Sequence, residues 1–320
     1  MKLSELYAAA IAVGMRHDPR GQDAVRRALD AAGRKHDELK EKDREFFDPE
    51  TLTNPYADSR ILHGTGDEEV SCLLAGIDIE PAELLLADRL RERGTKVDLV
   101  LGHHPGGRAL AEMFEVMKMQ AEILHLAGVS ISTAEDLLDD RIKEVERRLL
   151  PGNHQRVVDA ARLLRLPLVC LHTPADNMVA AHLQQRLDAE KPHTLADLVD
   201  LLLAEPEYRE GARVGQGPKI VLGSKPRTAG RTFVDMTGGT SGPKDIFDNL
   251  EKSGVNTLVG MHITDEHRKE AQKHHLNVVI AGHISSDTLG VNLLLDGVQK
   301  ETGVALQVLE CSGFRRFPRP

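Results

Sequence analysis

The sharpest hydrophobic pattern in the chain is VSCLLAGIDIE at residues 70–80, an uninterrupted apolar run of strand length. PAELLLADRLRERG follows, opened by Pro81 and closed by Gly94. Proline fits a first helical turn because its missing N–H has no helical partner there, and glycine accepts the left-handed backbone just past a helix end. VDLVLG at residues 97–102 is a second apolar run, so the unit reads as strand, helix, strand with the two strands parallel. The alternation recurs downstream: PLVCLH, PKIVLG, RTFVDM, a helix over about residues 244–252, VNTLVGMHI, another helix, NVVIAGH, a helix around VNLLLDGVQKETG and a last strand VALQVLEC. Strands alternating with helices almost throughout predict an α/β class.

Two polar stretches interrupt this pattern. Residues 41–69 read as a long excursion after amphipathic N-terminal helices, and EPEYREGARVGQGP at 205–218 is turn-rich. The second stretch is the expected boundary between an N-terminal α/β domain, residues 1–204, with a helical insertion over 108–166, and a C-terminal α/β domain, residues 205–320. No repeat of solenoid period and no low-complexity tract is visible. A chain of 320 residues with 41% hydrophobic content can fill two cores.

Charge narrows the function classes. Forty-one Lys and Arg against 50 Asp and Glu give a net charge of −9 with no basic run, which argues against nucleic acid as the main partner. No segment approaches the roughly 18 apolar residues of a membrane span, and the N-terminus lacks a signal-peptide core. Cys72, Cys170 and Cys311 are far apart and show no CxxC spacing, as expected of free structural thiols in a reducing compartment. The expectation is a cytoplasmic protein.

Candidate chemistry sits where strands end. His103 and His104 directly follow VDLVLG and precede Pro105, Gly106 and Gly107. Ligands of open α/β sheets bind at the carboxyl ends of strands. Pro105 favours an extended backbone at His104, and neighbouring side chains in extended chain point to different sides, which suits two ions better than one. His283 ends NVVIAG, with Asp287 four residues on, where a helix is expected to begin. CLHTPADN gives a third strand end, with His172 and Asp176 flanking Pro174. Imidazole and carboxylate together suit zinc, iron or manganese. Taken singly, Asp176 and the Ser285, Ser286, Asp287 group also read as helix caps, and the two histidines as a polar turn. Three strand ends with matching chemistry favour the metal reading. A glycine-rich turn, DMTGGTSGPKD, offers backbone N–H groups to an anionic substrate group, although it has neither Walker nor GxGxxG spacing and serves equally as a tight turn. HExxH and GxSxG are absent, so neither a zincin nor a serine hydrolase is indicated.

The order GHHP (102–105), HTPAD (172–176) and GHISSD (282–287) resembles the Nif-three-like family of dinuclear-metal proteins, whose members are often named as type 2 GTP cyclohydrolase I homologues. The resemblance spans essentially the whole chain. It implies two α/β domains with two divalent transition-metal ions, zinc, iron or manganese, in the cleft between them. By that resemblance His103, His104, Asp176, His283 and Asp287 match the ligands, with Asp176 as the bridging carboxylate. His172 matches a site histidine that need not bind metal and can orient Asp176 or act as a catalytic acid or base. The family usually has glutamate where this chain has the shorter Asp287. The resemblance also implies a toroidal homohexamer built from dimers. The expected function is a metal-dependent hydrolase acting on a nucleotide or another phosphorylated small molecule; the alternative is a non-catalytic metal-binding interaction or scaffold protein.

Overall fold

The computed structural model describes residues 1–319. The strands are β1 (Arg60–His63), β2 (Cys72–Gly76), β3 (Leu99–Gly102), β4 (Leu168–Cys170), β5 (Lys219–Leu222), β6 (Thr232–Asp235), β7 (Thr257–Gly260), β8 (Asn277–Ile280) and β9 (Gln307–Glu310). They form two sheets, ordered β1-β4-β3-β2-β9 and β5-β8-β7-β6. The apolar runs of β2, β3, β4, β7 and β8 are buried strands with parallel neighbours, which is why these segments are hydrophobic without alternation.

The two sheets are built to one plan. Setting β9 aside, each sheet pairs its first strand in sequence antiparallel with its fourth, and the second, third and fourth strands run parallel in the same order. Even the irregularity repeats. Arg60, Ile61 and His63 oppose Cys170, Val169 and Leu168, while Lys219, Ile220 and Leu222 oppose Ile280, Val279 and Val278, so one residue is skipped at the same place in both. The pairings Gly76↔Gly102↔Cys170 and Asp235↔Gly260↔Ile280 then align the two halves position by position at the strand ends.

The edges break this symmetry. β9 pairs in parallel with β2, whereas among the described residues β6 has no strand on its outer side. Instead the Gln184 side chain accepts from the Val234 N–H at 3.0 Å and donates to the Thr232 carbonyl at 3.4 Å, answering backbone groups that an edge strand leaves open. The expected cut at residue 205 therefore misplaces one element, because β9 returns to the first sheet. The boundary segment is also more regular than its turn-rich composition suggests: Pro206–Arg213 is a helix, and its Glu207 is held by Arg319 and Asn292. A further correction concerns residues 41–69, where β1 was unmarked by any apolar run; only Arg60 of its four residues is fully buried.

Two helices lie against each other at the centre, Thr173–Glu190 after β4 and His283–Thr302 after β8. Their contact is close. A Cβ on Gly290 would stand 2.5 Å from the Ala175 carbonyl oxygen, so only glycine lets the two backbones approach this far. Beyond that contact Val291, Leu294 and Leu295 of the second helix pack toward the first sheet with Leu73, Leu99 and Leu101. Cys72 and Cys170 are buried free thiols, and Cys311 is a partly exposed one. Among the described residues no helix is long and apolar enough to cross a membrane.

Candidate metal centre

The close approach of the two central helices carries their first turns to the same place. Asp176 lies in the first turn of its helix, where the unpaired N–H groups of a helix start favour negative charge, and Asp287 lies just beyond the first turn of the other. His283 is the first residue of its helix, so Asp287 lies one turn in, slightly later than a start at Asp287 would put it. The end of β3 meets both helices. Its last residue leads into His103 and His104, whose backbone N–H groups donate to Gly76 and Ile77.

All six residues singled out in the sequence converge here. His103 Nε2 is 3.4 Å from Asp176 Oδ1 and 3.5 Å from Asp287 Oδ1. His104 Nε2 and His283 Nε2 lie 3.4 and 3.6 Å from Asp287 Oδ2. His172 Nε2 is 3.6 Å from Asp176 Oδ2. Three overlapping groups can hold a metal ion: His104, His283 and Asp287; His103, Asp176 and Asp287; and His103, His104 and His172. The carboxylate common to the first two is Asp287, not Asp176, so the geometry gives the central position to the shorter acid.

Tautomers are fixed from behind. His103 Nδ1 is 3.2 Å from the Leu171 carbonyl, His104 Nδ1 is 2.7 Å from Asp78, and His172 Nδ1 is 2.8 Å from Asp58. A carbonyl or carboxylate only accepts, so each Nδ1 carries the proton and each Nε2 is left with its lone pair turned to the cluster. Asp58 is itself fully buried and also accepts from the Thr173 hydroxyl at 2.6 Å. His283 has no such anchor among the described residues, and its side chain is 42% exposed.

The donor set fits a cation. His103 Nε2, Asp176 Oδ1 and both Asp287 carboxylate oxygens are buried without a hydrogen-bond partner among the described residues. Unpaired buried polar atoms are costly, and four of them pointing to one spot call for positive charge there. The electrostatics of the cluster make the same demand. Burial alone would raise the Asp287 carboxyl, yet His103, His104 and His283 hold it well below its ordinary value. Burial would lower His103, and Asp287 and Asp176 raise it far above the usual imidazole range instead. The His283 ring is pushed down, first by burial and then by His262, His104 and His103.

The cluster opens into a cleft of about 80 Å³ lined by His172, Asp176, His283 and Asp287 on one wall and by Asp235, Thr237, Thr240 and His262 on the other. His262 stands two residues past Gly260, as His104 stands two past Gly102, and its ring centroid is 5.0 Å from that of His283. Sequence reading passed over His262, Asp58 and Asp78. A signal existed for two of them, since VNTLVGMHI and VSCLLAGID both place a polar residue at a strand end; Asp58 lay in a polar stretch with none. The glycine-rich turn is pinned by Gln120, which donates to the Gly238 and Thr240 carbonyls at 2.6 Å each. It leads into a short 3-10 turn, Lys244–Ile246, and a helix of only six residues.

A NIF3 superfamily protein from Sphaerobacter thermophilus superposes with a TM-score of 0.67 and 26% identity, over 80% of this chain and 91% of that one. This likeness supports a Nif-three-like assignment for the chain. Reduced HcgD from Methanocaldococcus jannaschii shares the fold at a TM-score of 0.51 and 14% identity, over 84% of this chain and 94% of that one. No family model and no curated protein matches the sequence. The Nif-three-like two-sheet fold thus carries a His and Asp cluster able to bind metal.

Proposed function

We propose that this Nif-three-like chain binds two divalent transition-metal ions, zinc, iron or manganese, through His103, His104, Asp176, His283 and Asp287, and acts as a metal-dependent hydrolase on a nucleotide or other phosphorylated small molecule. The observation that carries the reading is the set of four buried, unpartnered ligand atoms on His103, Asp176 and Asp287 at the wall of an open cleft. His104, His283 and Asp287 would hold one ion, and His103, Asp176 and Asp287 the other. Bound there, the ions supply Lewis-acid charge that makes water more acidic and neutralises a phosphoryl oxygen.

The chain's own residues supply the rest. His172 is outside both ligand groups, faces the cleft through Nε2, and is oriented by Asp58 at Nδ1. It takes a proton at Nε2 and returns it to the leaving oxygen, with the Asp58 carboxylate stabilising the imidazolium. Asp78 and the Leu171 carbonyl keep His104 and His103 from turning. The scaffold alternative has less support, because a purely structural ion needs no histidine held ready beside it and no cleft. By family likeness we further infer a cytoplasmic homohexamer, whose assembly light scattering tests directly.

The deciding experiment screens nucleotides and phosphorylated metabolites with metal restored, comparing wild type, His172→Ala and His104→Ala. The expected result is turnover in wild type only, with metal content kept in His172→Ala and activity down by a factor on the order of 10² or more. Equal turnover in all three proteins would assign the activity to a contaminant and remove the hydrolase reading.

A further inference from the structure

Beside the metal-binding cleft lies a second cavity, of about 50 Å³, that the proposed hydrolysis does not use. Its floor is apolar: Ile123 and Leu124 come from the helix Met119–Leu126, Phe233 and Leu258 from β6 and β7, and Phe247 and Leu250 from the short helix Phe247–Lys252. Asp235, Thr237, Ser241 and His262 line both this cavity and the cleft, so the two meet at a polar mouth. Among the described residues neither the Asp235 carboxylate nor the His262 imidazole has a hydrogen-bond or ion-pair partner, and both are exposed at the mouth. The polar groups elsewhere in its lining are already engaged, Gln120 donating to the Gly238 and Thr240 carbonyls and His267 bonding Thr264 and the Gly242 carbonyl, and an apolar floor beside a polar reaction site is the form of a specificity pocket.

We propose that this cavity takes a short, uncharged alkyl group of the ligand whose polar end lies at the metal cluster, a proposal that rests on the metal reading of the cleft. Size sets the limit. The cavity is about a third of the roughly 150 Å³ that admits benzene, which leaves room for about two or three carbon atoms. Chemistry sets the character. Ile123, Leu124 and Leu250 offer a polar tail nothing to bond, Gln120 and His267 are taken up by the protein's own carbonyls and by Thr264, and the Asp235 carboxylate at the mouth repels an anionic tail.

The test uses alkyl hydroxamates, whose head group binds metal centres, titrated by calorimetry into the zinc-loaded full chain. Affinity should rise about tenfold from acetohydroxamate to butyrohydroxamate, somewhat less than the roughly fourfold per buried methylene that transfer free energies give. It should rise no further with hexanohydroxamate, and succinohydroxamate should bind less tightly than butyrohydroxamate. Leu124→Phe, which fills the cavity, should bring butyrohydroxamate down to the acetohydroxamate level while leaving acetohydroxamate unchanged. Phe247→Leu, which enlarges it, should move the optimum to a longer chain, and either variant suffices if the other does not fold. A flat series in wild type, or one unmoved by the folded variant, overturns the pocket while leaving the metal reading standing. Acetohydroxamate that fails to bind protein carrying zinc overturns the metal reading of the cleft, and the pocket proposal with it.

Discussion

The two halves of the molecule share a topology, a register and a bulge, yet they present different chemistry at the same strand ends. Past β3 stand His103 and His104; past β7, at the matching positions, stand Met261 and His262. After β4 comes His172 with Asp176, and after β8 comes His283 with Asp287, the same His-x-x-x-Asp spacing at the start of each central helix. The first half holds its imidazoles rigidly, through Leu171, Asp78 and Asp58, whereas His283 has no anchor among the described residues. One scaffold, used twice, has put preorganised ligands on one side of the cleft and a looser, ligand-facing wall on the other. Rigid placement lowers the entropy lost when a cation is gripped, and a looser wall can adapt to what enters.

The largest effect should come from the one residue that both proposed metal groups share. Asp287→Asn should leave purified protein with almost no bound transition metal, whereas Asp176→Asn should lose about one ion per chain, because only one of the two groups uses it. Elemental analysis after gel filtration reads the difference. Equal losses from the two variants would abolish the distinction between the halves and return Asp176 to a bridging role.

Next comes the joint between the halves. Gly290→Ala would put a methyl group 2.5 Å from the Ala175 carbonyl oxygen, against backbone that has no rotamer to move. The expected cost is about 3 kcal/mol, at the upper end for overpacking, with metal content falling as well since the helix starts carrying Asp176 and Asp287 are forced apart. Urea unfolding checks the first part and elemental analysis the second. Wild-type stability in Gly290→Ala would show that the central helices can separate without consequence, and that the site does not depend on their contact.

The anchors give a graded test of rigid against loose. Asp78→Asn should weaken metal affinity by roughly 10- to 100-fold, the usual penalty for losing a carboxylate behind a ligand histidine. Thr237 occupies the matching position past β6 and bonds Asn177 at 2.7 Å rather than any imidazole. Thr237→Val should change metal affinity by less than about twofold, since no proposed ligand is oriented by it. Competition with a chromogenic chelator measures both. If the two variants behave alike, the first half owes nothing to its anchors.

Much of this was legible in the sequence for a physical reason. Parallel strands covered on both faces must be apolar throughout, so β2, β3, β4, β7 and β8 stood out as runs, and residues just past such runs are where side chains can face a cleft. That logic found His103, His104, His172, Asp176, His283 and Asp287, which the fold brings to one place. It did not find β1, a half-exposed edge strand with no apolar signature, and so also missed Asp58 beside it. Nor could it show that β9 returns to the first sheet, because pairing partners separated by more than two hundred residues leave no local mark. The shared plan of the two sheets was hidden for a related reason: its evidence is register, and the two halves carry different residues at the matching positions.

The smallest effect concerns the edge where the halves part company. In the first sheet the outer side of β2 is closed by β9, with Cys72 to Ala75 opposite Gln307 to Glu310. In the second, the outer side of β6 is answered by one side chain, Gln184, reaching down from the helix Thr173–Glu190. A carboxamide carries one acceptor and one donor group and so imitates one peptide unit of a missing strand. Gln184→Met keeps the length and the apolar stem but removes both bonds. It should cost about 1 kcal/mol in urea unfolding, the net worth of a typical intramolecular hydrogen bond. Hydrogen exchange localises the loss. The Val234 amide should exchange about tenfold faster in the variant, while the amides of β2 keep their wild-type protection because β9 still covers them. Protection lost equally from both sheets would mean that Gln184 supports the whole fold and not the β6 edge. No change at Val234 would mean that water already serves that edge, and that the second sheet tolerates an open side which the first sheet closes with a strand.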